Sequence, residues 1–126
     1  MARYDHLPLF KSTYALVLLV YQVTRKYDRE YKYTLGEKIK ENAHEILDGI
    51  IRTNSLPDPQ KSASLKLLLL DVERLRIYFR ISCDLHIMTP KFLGVLTERI
   101  EEIEKQMNGW MKYASNTEVR PRNIEV

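Results

Sequence analysis

Apolar positions along this chain recur at threes and fours, the spacing of a helix face, and no stretch of useful length alternates as a strand would. The first periodic segment runs over about 8–29. Leu9, Leu16, Val20, Val23 and Tyr27 share a face there, and Phe10, Val17 and Tyr21 widen it. A second segment, over 35–53, sets Leu35, Ile39, Ala43, Ile46, Leu47 and Ile50 on one stripe, with Lys38, Lys40, Glu41, Glu45 and Arg52 elsewhere. A third spans 59–87. The fourth, over 90–114, repeats Leu93, Leu96, Ile100, Ile103, Met107 and Trp110 in a seam that follows a heptad pattern. Residues 115–126 show no periodicity and are expected to form a flexible tail.

Each segment carries its own punctuation. Thr34 is placed to cap the second helix while Glu37, three residues on, returns the bond to the cap backbone. Asp58 followed by Pro59 reads as an N-cap and first-turn pair for the third, and Thr89 with Pro90 repeats the device for the fourth. Short connections between long amphipathic helices favour antiparallel neighbours. The predicted fold is therefore all-α, an antiparallel up-down-up-down four-helix bundle in one domain over 1–114.

The third helix is greasier than a small bundle requires. At 100° per residue, Leu65, Leu68, Val72, Leu75, Phe79, Cys83 and His86 fall on one side. Leu67, Leu70, Ile77, Tyr78, Ile81 and Leu85 fall roughly opposite, with Arg74 in their midst. Periodicity does not label which side is inside; the first set is assigned to the core and the second to a neighbour. Six such side chains in water would expose several hundred Å², around or above the largest patch of a typical monomer. Burying each contributes roughly 1.5–3 kcal/mol. A second copy of the chain is the expected cover, in a dimer or a ring. Arg74, inside that stripe, must snorkel out or meet an acidic partner.

Composition narrows the class. A chain of 126 residues, 44% hydrophobic and 29% charged, can bury one core and does not read as disordered. The net charge of +3 admits a polyanionic partner without demanding one. Cys83 is the only cysteine, which excludes an intrachain disulfide and a cysteine-rich metal site, and it is expected to act as a small buried hydrophobe. The N-terminal apolar run is broken by Lys11, Ser12 and Thr13 and lacks a small-residue cleavage site. No stretch reaches the ~18 uninterrupted apolar residues of a membrane span. The expectation is a cytoplasmic protein with no membrane partner.

Signals for catalysis are weak. Glu41 and His44 have the Glu-x-x-His spacing of di-iron bundles, but no second such pair stands on the third or fourth helix. An exposed helix face explains them. His6 and His86 stand alone, and His86 can meet the negative end of its helix. There is no phosphate-gripping Gly-rich loop and no nucleophile motif, so no catalytic residue, metal or cofactor is expected.

Two groups point to binding. Arg25, Lys26, Arg29 and Lys32 alternate with Tyr27, Tyr31 and Tyr33, a mixture that suits phosphates and unpaired bases. A solvated helix end, with Lys and Arg near the negative terminus and Tyr packing on the bundle, explains the same residues slightly better. Arg76 and Arg80 stand one turn apart on a flank of the third helix, with Glu73 near enough to pair with them.

The stretch "YTLGEKIKENA" resembles the second-helix start of a broad group of small bacterial four-helix-bundle proteins. The group includes proteins of ribosomal-RNA intervening sequences and Avd, the accessory protein of diversity-generating retroelements. The Asn-Ile-Ala-Glu-Gly-like signature of the intervening-sequence branch is missing; the chain reads "ILDGIIRTNS" there. Leu75, Arg76, Ile77, Tyr78, Phe79 and Arg80, then Met88, Thr89 and Pro90, then Gly109 and Trp110, resemble the Avd-like branch instead. The resemblance runs from about Tyr14 to Tyr113. It implies a non-enzymatic partner of a reverse transcriptase that forms a pentameric barrel and binds template RNA, with DNA as a second candidate. Arg76 and Arg80 match the motif arginines, whereas Arg74 rests on helix geometry alone. At +3 this chain is less basic than is usual for Avd, although five copies would sum to about +15. A structural or interaction module of the intervening-sequence type, without a reverse transcriptase, is the alternative.

Overall fold

A computed structural model of the protein describes the backbone over residues 3–125 and side chains over 3–115. The backbone is helical through Glu125, past the end expected at 114, so most of the tail expected over 115–126 continues the last helix; side chains beyond Ser115 lie outside the described residues. Four long helices and one short turn follow in order: α1 (Pro8–Thr24), α2 (Arg29–Lys32), α3 (Leu35–Asn54), α4 (Asp58–Asp84) and α5 (Pro90–Glu125). α1 packs on α3, α3 on α4 and α4 on α5, and α1 returns against α5 to close the bundle. Cross-helix bonds show the antiparallel sense. Asn42 reaches Asp71 while Thr53 reaches Ser64 between α3 and α4, and Arg76 meets Glu104 while Ser62 meets Ser115 between α4 and α5.

Where helices begin and end departs from the sequence expectation in instructive ways. α1 stops at Thr24 rather than near residue 29. The Thr24 hydroxyl donates to the Val20 carbonyl, and the N–H groups of Lys26 and Tyr27 turn back to Val23 and Thr24. This bend sends Tyr27 into the interior, where it is buried and its hydroxyl donates to Ser82 Oγ at 2.7 Å. Burial of the ring pushes the Tyr27 phenol pKa above its usual value.

Thr34 holds the N-cap position of α3 as expected, but its side chain makes no cap bond there. Its hydroxyl donates to the Glu30 carbonyl and so closes α2, while Glu37 pairs with Lys40 at 2.9 Å instead. Asp58 is not the N-cap of α4; Pro57 holds that position in an extended conformation, and Asp58 takes Lys61 one turn along at 3.0 Å. The Thr89 cap is present, with its hydroxyl accepting from the Phe92 N–H at 3.1 Å.

α4 ends at Asp84, earlier than expected, in a Schellman turn. The Ile87 N–H donates to the Ser82 carbonyl, the His86 N–H donates to Cys83, and His86 takes φ 63°. Glycine would be the usual residue there, because a Cβ crowds the backbone at positive φ. Two members assigned to the core stripe are therefore misplaced. His86 is exposed and Cys83 only half-buried, while Ser82 is wholly buried in their stead. Leu65, Leu68, Val72, Leu75, Phe79 and Ser82 step by alternating threes and fours, a 3.5-residue seam that arrives at Ser82, whereas a strict 3.6-residue repeat counted from Leu65 arrives at Cys83.

The core is lined by Leu16 and Val20 of α1, Ile39, Ile46 and Ile50 of α3, Leu65, Leu68, Val72, Leu75 and Phe79 of α4, and Leu96, Ile100, Ile103 and Met107 of α5. α3 and α4 approach so closely at Gly49 that a Cβ there would lie 2.2 Å from Leu68 Cδ2. Among the described residues no helix is long and apolar enough to cross a membrane.

Candidate functional site

The ambiguity of α4 resolves at the level of packing. Leu65, Leu68, Val72, Leu75 and Phe79 are at most 2% exposed. On the opposite side Leu67 and Leu70 are 66% and 64% exposed, and Ile77, Ile81 and Leu85 are exposed as well. Among the described residues no helix of the same chain covers this outward face. Tyr78 separates from the set: it is half-buried, packs on the core rim and turns toward α3, beside Lys38, Asn42 and Glu45.

α1 carries a second uncovered apolar region; sequence periodicity set Phe10 on the widened core face and assigned Tyr14 and Leu18 to no face. Phe10 stacks edge-on against Tyr4 at 5.0 Å and lies 6.0 Å from Tyr14, and Leu18 continues the patch one turn further. Tyr14 and Leu18 are half exposed. The four-sided packing places α1 diagonal to α4, so the two apolar regions stand on helices that do not pack side by side.

The arginines of α4 have different fates. Arg74, in the midst of the outward stripe, meets acidic partners as expected, Asp71 at 3.4 Å and Glu45 at 4.0 Å. Arg76 does not stand free. It is half-buried, bonded to Glu104 of α5 and paired with Glu73 at 3.4 Å. The bond to Glu104 raises its pKa further, against the lowering effect of burial. Reversing its charge would set three carboxylates together, so Arg76 is first a strut between α4 and α5. Arg80, one turn on, is exposed and has no partner among the described residues.

The basic-aromatic stretch falls where α1 turns into α2, and tertiary structure divides it. Arg25 and Lys32 line a surface pocket of about 350 Å³ together with Tyr21, Gln22 and Thr24 of α1 and Lys40 of α3. Lys26 lines a different pocket of about 370 Å³, on the α5 side, with Leu19, Gln22, Val23, Ile87, Met88, Thr89 and Phe92. Arg29 lines neither and is exposed. Tyr27 is core, Tyr31 packs against the core, and Tyr33 is exposed. The tyrosines expected to serve a ligand are therefore split between structure and surface.

Lys40, Tyr21 and His44 escape a sequence reading as site residues. His44 Nε2 lies 2.8 Å from Tyr21 Oη, with the rings edge to face at 5.7 Å, and Lys40 Nζ sits 5.5 Å from the centre of the Tyr21 ring. The one available signal is the α3 face that Lys40 and His44 share, since positions 40 and 44 are one turn apart. Among the described residues no group of histidine, cysteine and carboxylate side chains is arranged to hold a metal ion.

With this geometry in place, one comparison is informative. The family described as bAvd-like matches residues 9–114, which takes in parts of all four long helices and ends at Ala114, the last buried position among the described residues. No curated protein matches the chain.

Proposed function

The chain belongs to the bAvd-like family, whose match spans residues 9–114, and from that premise we propose that it is a non-enzymatic accessory protein of a diversity-generating retroelement. It assembles with copies of itself in the cytoplasm, in a barrel of five, and presents basic surface to a reverse transcriptase and its template RNA or DNA. The observation that carries this reading is the pair of uncovered apolar regions on the two diagonal helices, α1 and α4. Leu67, Leu70, Ile77, Ile81 and Leu85 on α4 and Phe10, Tyr14 and Leu18 on α1 are different surfaces. Two different patches that fit each other make a head-to-tail contact, and such a contact closes into a ring when its rotation allows. A two-fold dimer would use the same patch twice and leave the other wet.

The basic positions supply the second half of the proposal. Arg25, Lys26, Arg29 and Lys32 gather at one end of α1, and Arg80 stands exposed on α4. Arg74 and Arg76 contribute charge to the surface only beyond what their carboxylate partners neutralise.

Light scattering at micromolar concentration, on the protein alone and co-expressed with a reverse transcriptase encoded beside it, tests the reading. A mass several times 14.9 kDa and co-purification of the polymerase are expected. A strict monomer that leaves the polymerase behind overturns it. The second reading, a structural or interaction module without a reverse transcriptase, is favoured by the modest charge and by the carboxylates Glu98, Glu101, Glu102 and Glu104 of α5. A reverse transcriptase gene beside this one, with a near-repeat of a target segment, decides for the first.

A further inference from the structure

Two pockets flank the last turn of α1, one toward α3 and one toward α5, and they share Gln22. Their chemistry is opposite. The α3-side pocket is ringed by Arg25, Lys32 and Lys40, and no carboxylate lines it among the described residues. Of these three cations, Lys40 is paired, with Glu37 at 2.9 Å. The α5-side pocket is walled by Leu19, Val23, Met88 and Phe92, with Lys26 and Thr89 among its polar members. Volumes of about 350 and 370 Å³ fall in the range that holds small organic groups.

We propose that the last turn of α1 is a docking site for an unpaired polynucleotide strand, with a phosphate in the Arg25–Lys32–Lys40 pocket and a neighbouring base in the apolar pocket against Phe92. The inference rests on the nucleic-acid half of the function proposed above and gives it a site and a strand preference. Phosphates recur along a strand and suit a concave group of cations. A base offers a flat apolar face to an aromatic side chain, but only where it is unstacked and unpaired. The helix between the pockets is about 10 Å across, so a strand must cross it with its bases splayed. A rigid duplex keeps its bases stacked inside and can use the cationic pocket alone. An acidic peptide with an aliphatic anchor would satisfy the same charges, yet it has no planar face for Phe92.

Fluorescence anisotropy with labelled 12-nucleotide RNA and DNA strands, their duplexes and a 12-residue poly-glutamate peptide tests the site. Three proteins are compared at several salt concentrations: the parent, R25E with K32E, and F92L. Arg25 is exposed and Lys32 half-buried, and F92L keeps the wall apolar, so all three should melt alike by circular dichroism. The single strand is expected to bind about 10-fold or more tighter than the duplex. The charge reversal should weaken it by about 10-fold or more and flatten the salt slope by about 0.7 for each phosphate no longer neutralised. F92L should weaken it by about 5-fold with the slope unchanged. Tighter binding of RNA than of DNA, or the reverse, identifies which strand the site takes and supports it either way. Equal binding of duplex or of poly-glutamate overturns the proposal, as does strand binding that neither variant alters, which leaves the broader reading standing. Failure to bind any polynucleotide overturns both this site and the nucleic-acid half of the proposed function.

Discussion

Replacing Leu67 and Leu70 of α4 with glutamine perturbs the proposed assembly while leaving the protomer core untouched. Each leucine exposes about two-thirds of its surface in the isolated chain, at 66% and 64%. Full burial of a leucine contributes roughly 1.5–3 kcal/mol, so covering the remaining two-thirds contributes roughly 1–2 kcal/mol each. The pair is then responsible for roughly 2–4 kcal/mol per interface between copies. At 1.4 kcal/mol per factor of ten, the variant's copies should associate about 30- to 1000-fold more weakly. Glutamine is a good helix former, so the fold of α4 should survive. Sedimentation velocity over nanomolar to micromolar concentration reads the association, and a thermal melt reads the fold at high dilution. The reasoning is refuted if the variant sediments as the parent does at every concentration. It is refuted equally if the diluted protomer melts many degrees lower, since the two side chains would then belong to the core.

Further outcomes follow from the packing. Gly49→Ala drives a Cβ into Leu68, which is only 2% exposed, and should lose about 1–2 kcal/mol by denaturant titration despite the better helix propensity of alanine. Gly109→Ala, with open space around the new methyl, should instead gain up to about 1 kcal/mol, so equal effects at the two glycines would contradict the packing described. His86→Gly relieves a positive φ at the end of α4 and should raise stability by about 0.5–1 kcal/mol; a loss would mean that the His86 side chain holds something. Tyr27→Phe removes the bond to Ser82 and should cost about 0.5–1.5 kcal/mol at neutral pH. Because the folded phenol pKa is raised, its stabilising contribution is intact below about pH 10 and declines above it, where the unfolded chain loses the proton first. Urea titrations between pH 8 and 11 should show that decline in the parent and less of it in Tyr27→Phe.

The motifs that matched the family also have structural roles, which a linear reading could not apportion. Arg76 is a motif arginine, yet Glu104, 28 positions away, holds it between two helices, while Arg80 stands exposed one turn on. Tyr27, Tyr31 and Tyr33 are close in sequence but take three different burial states. Lys40 joins Arg25 and Lys32 only because α1 and α3 pack side by side. Pairings of this kind depend on which residues of different helices fall at the same height, and no local periodicity encodes that.

What this sequence determined alone was the number of long helices, their class and the presence of one apolar stripe too many. Those properties follow from a 3.6-residue repeat and from caps such as Thr89, which act within a few residues of chain. Tertiary structure decided which stripe of α4 is the core, because burial is a relation between helices. It decided that α1 ends at Thr24 so that Tyr27 can reach Ser82. It also decided that the basic stretch divides between two pockets of opposite chemistry, since only the packing of α1 between α3 and α5 gives that last turn two sides.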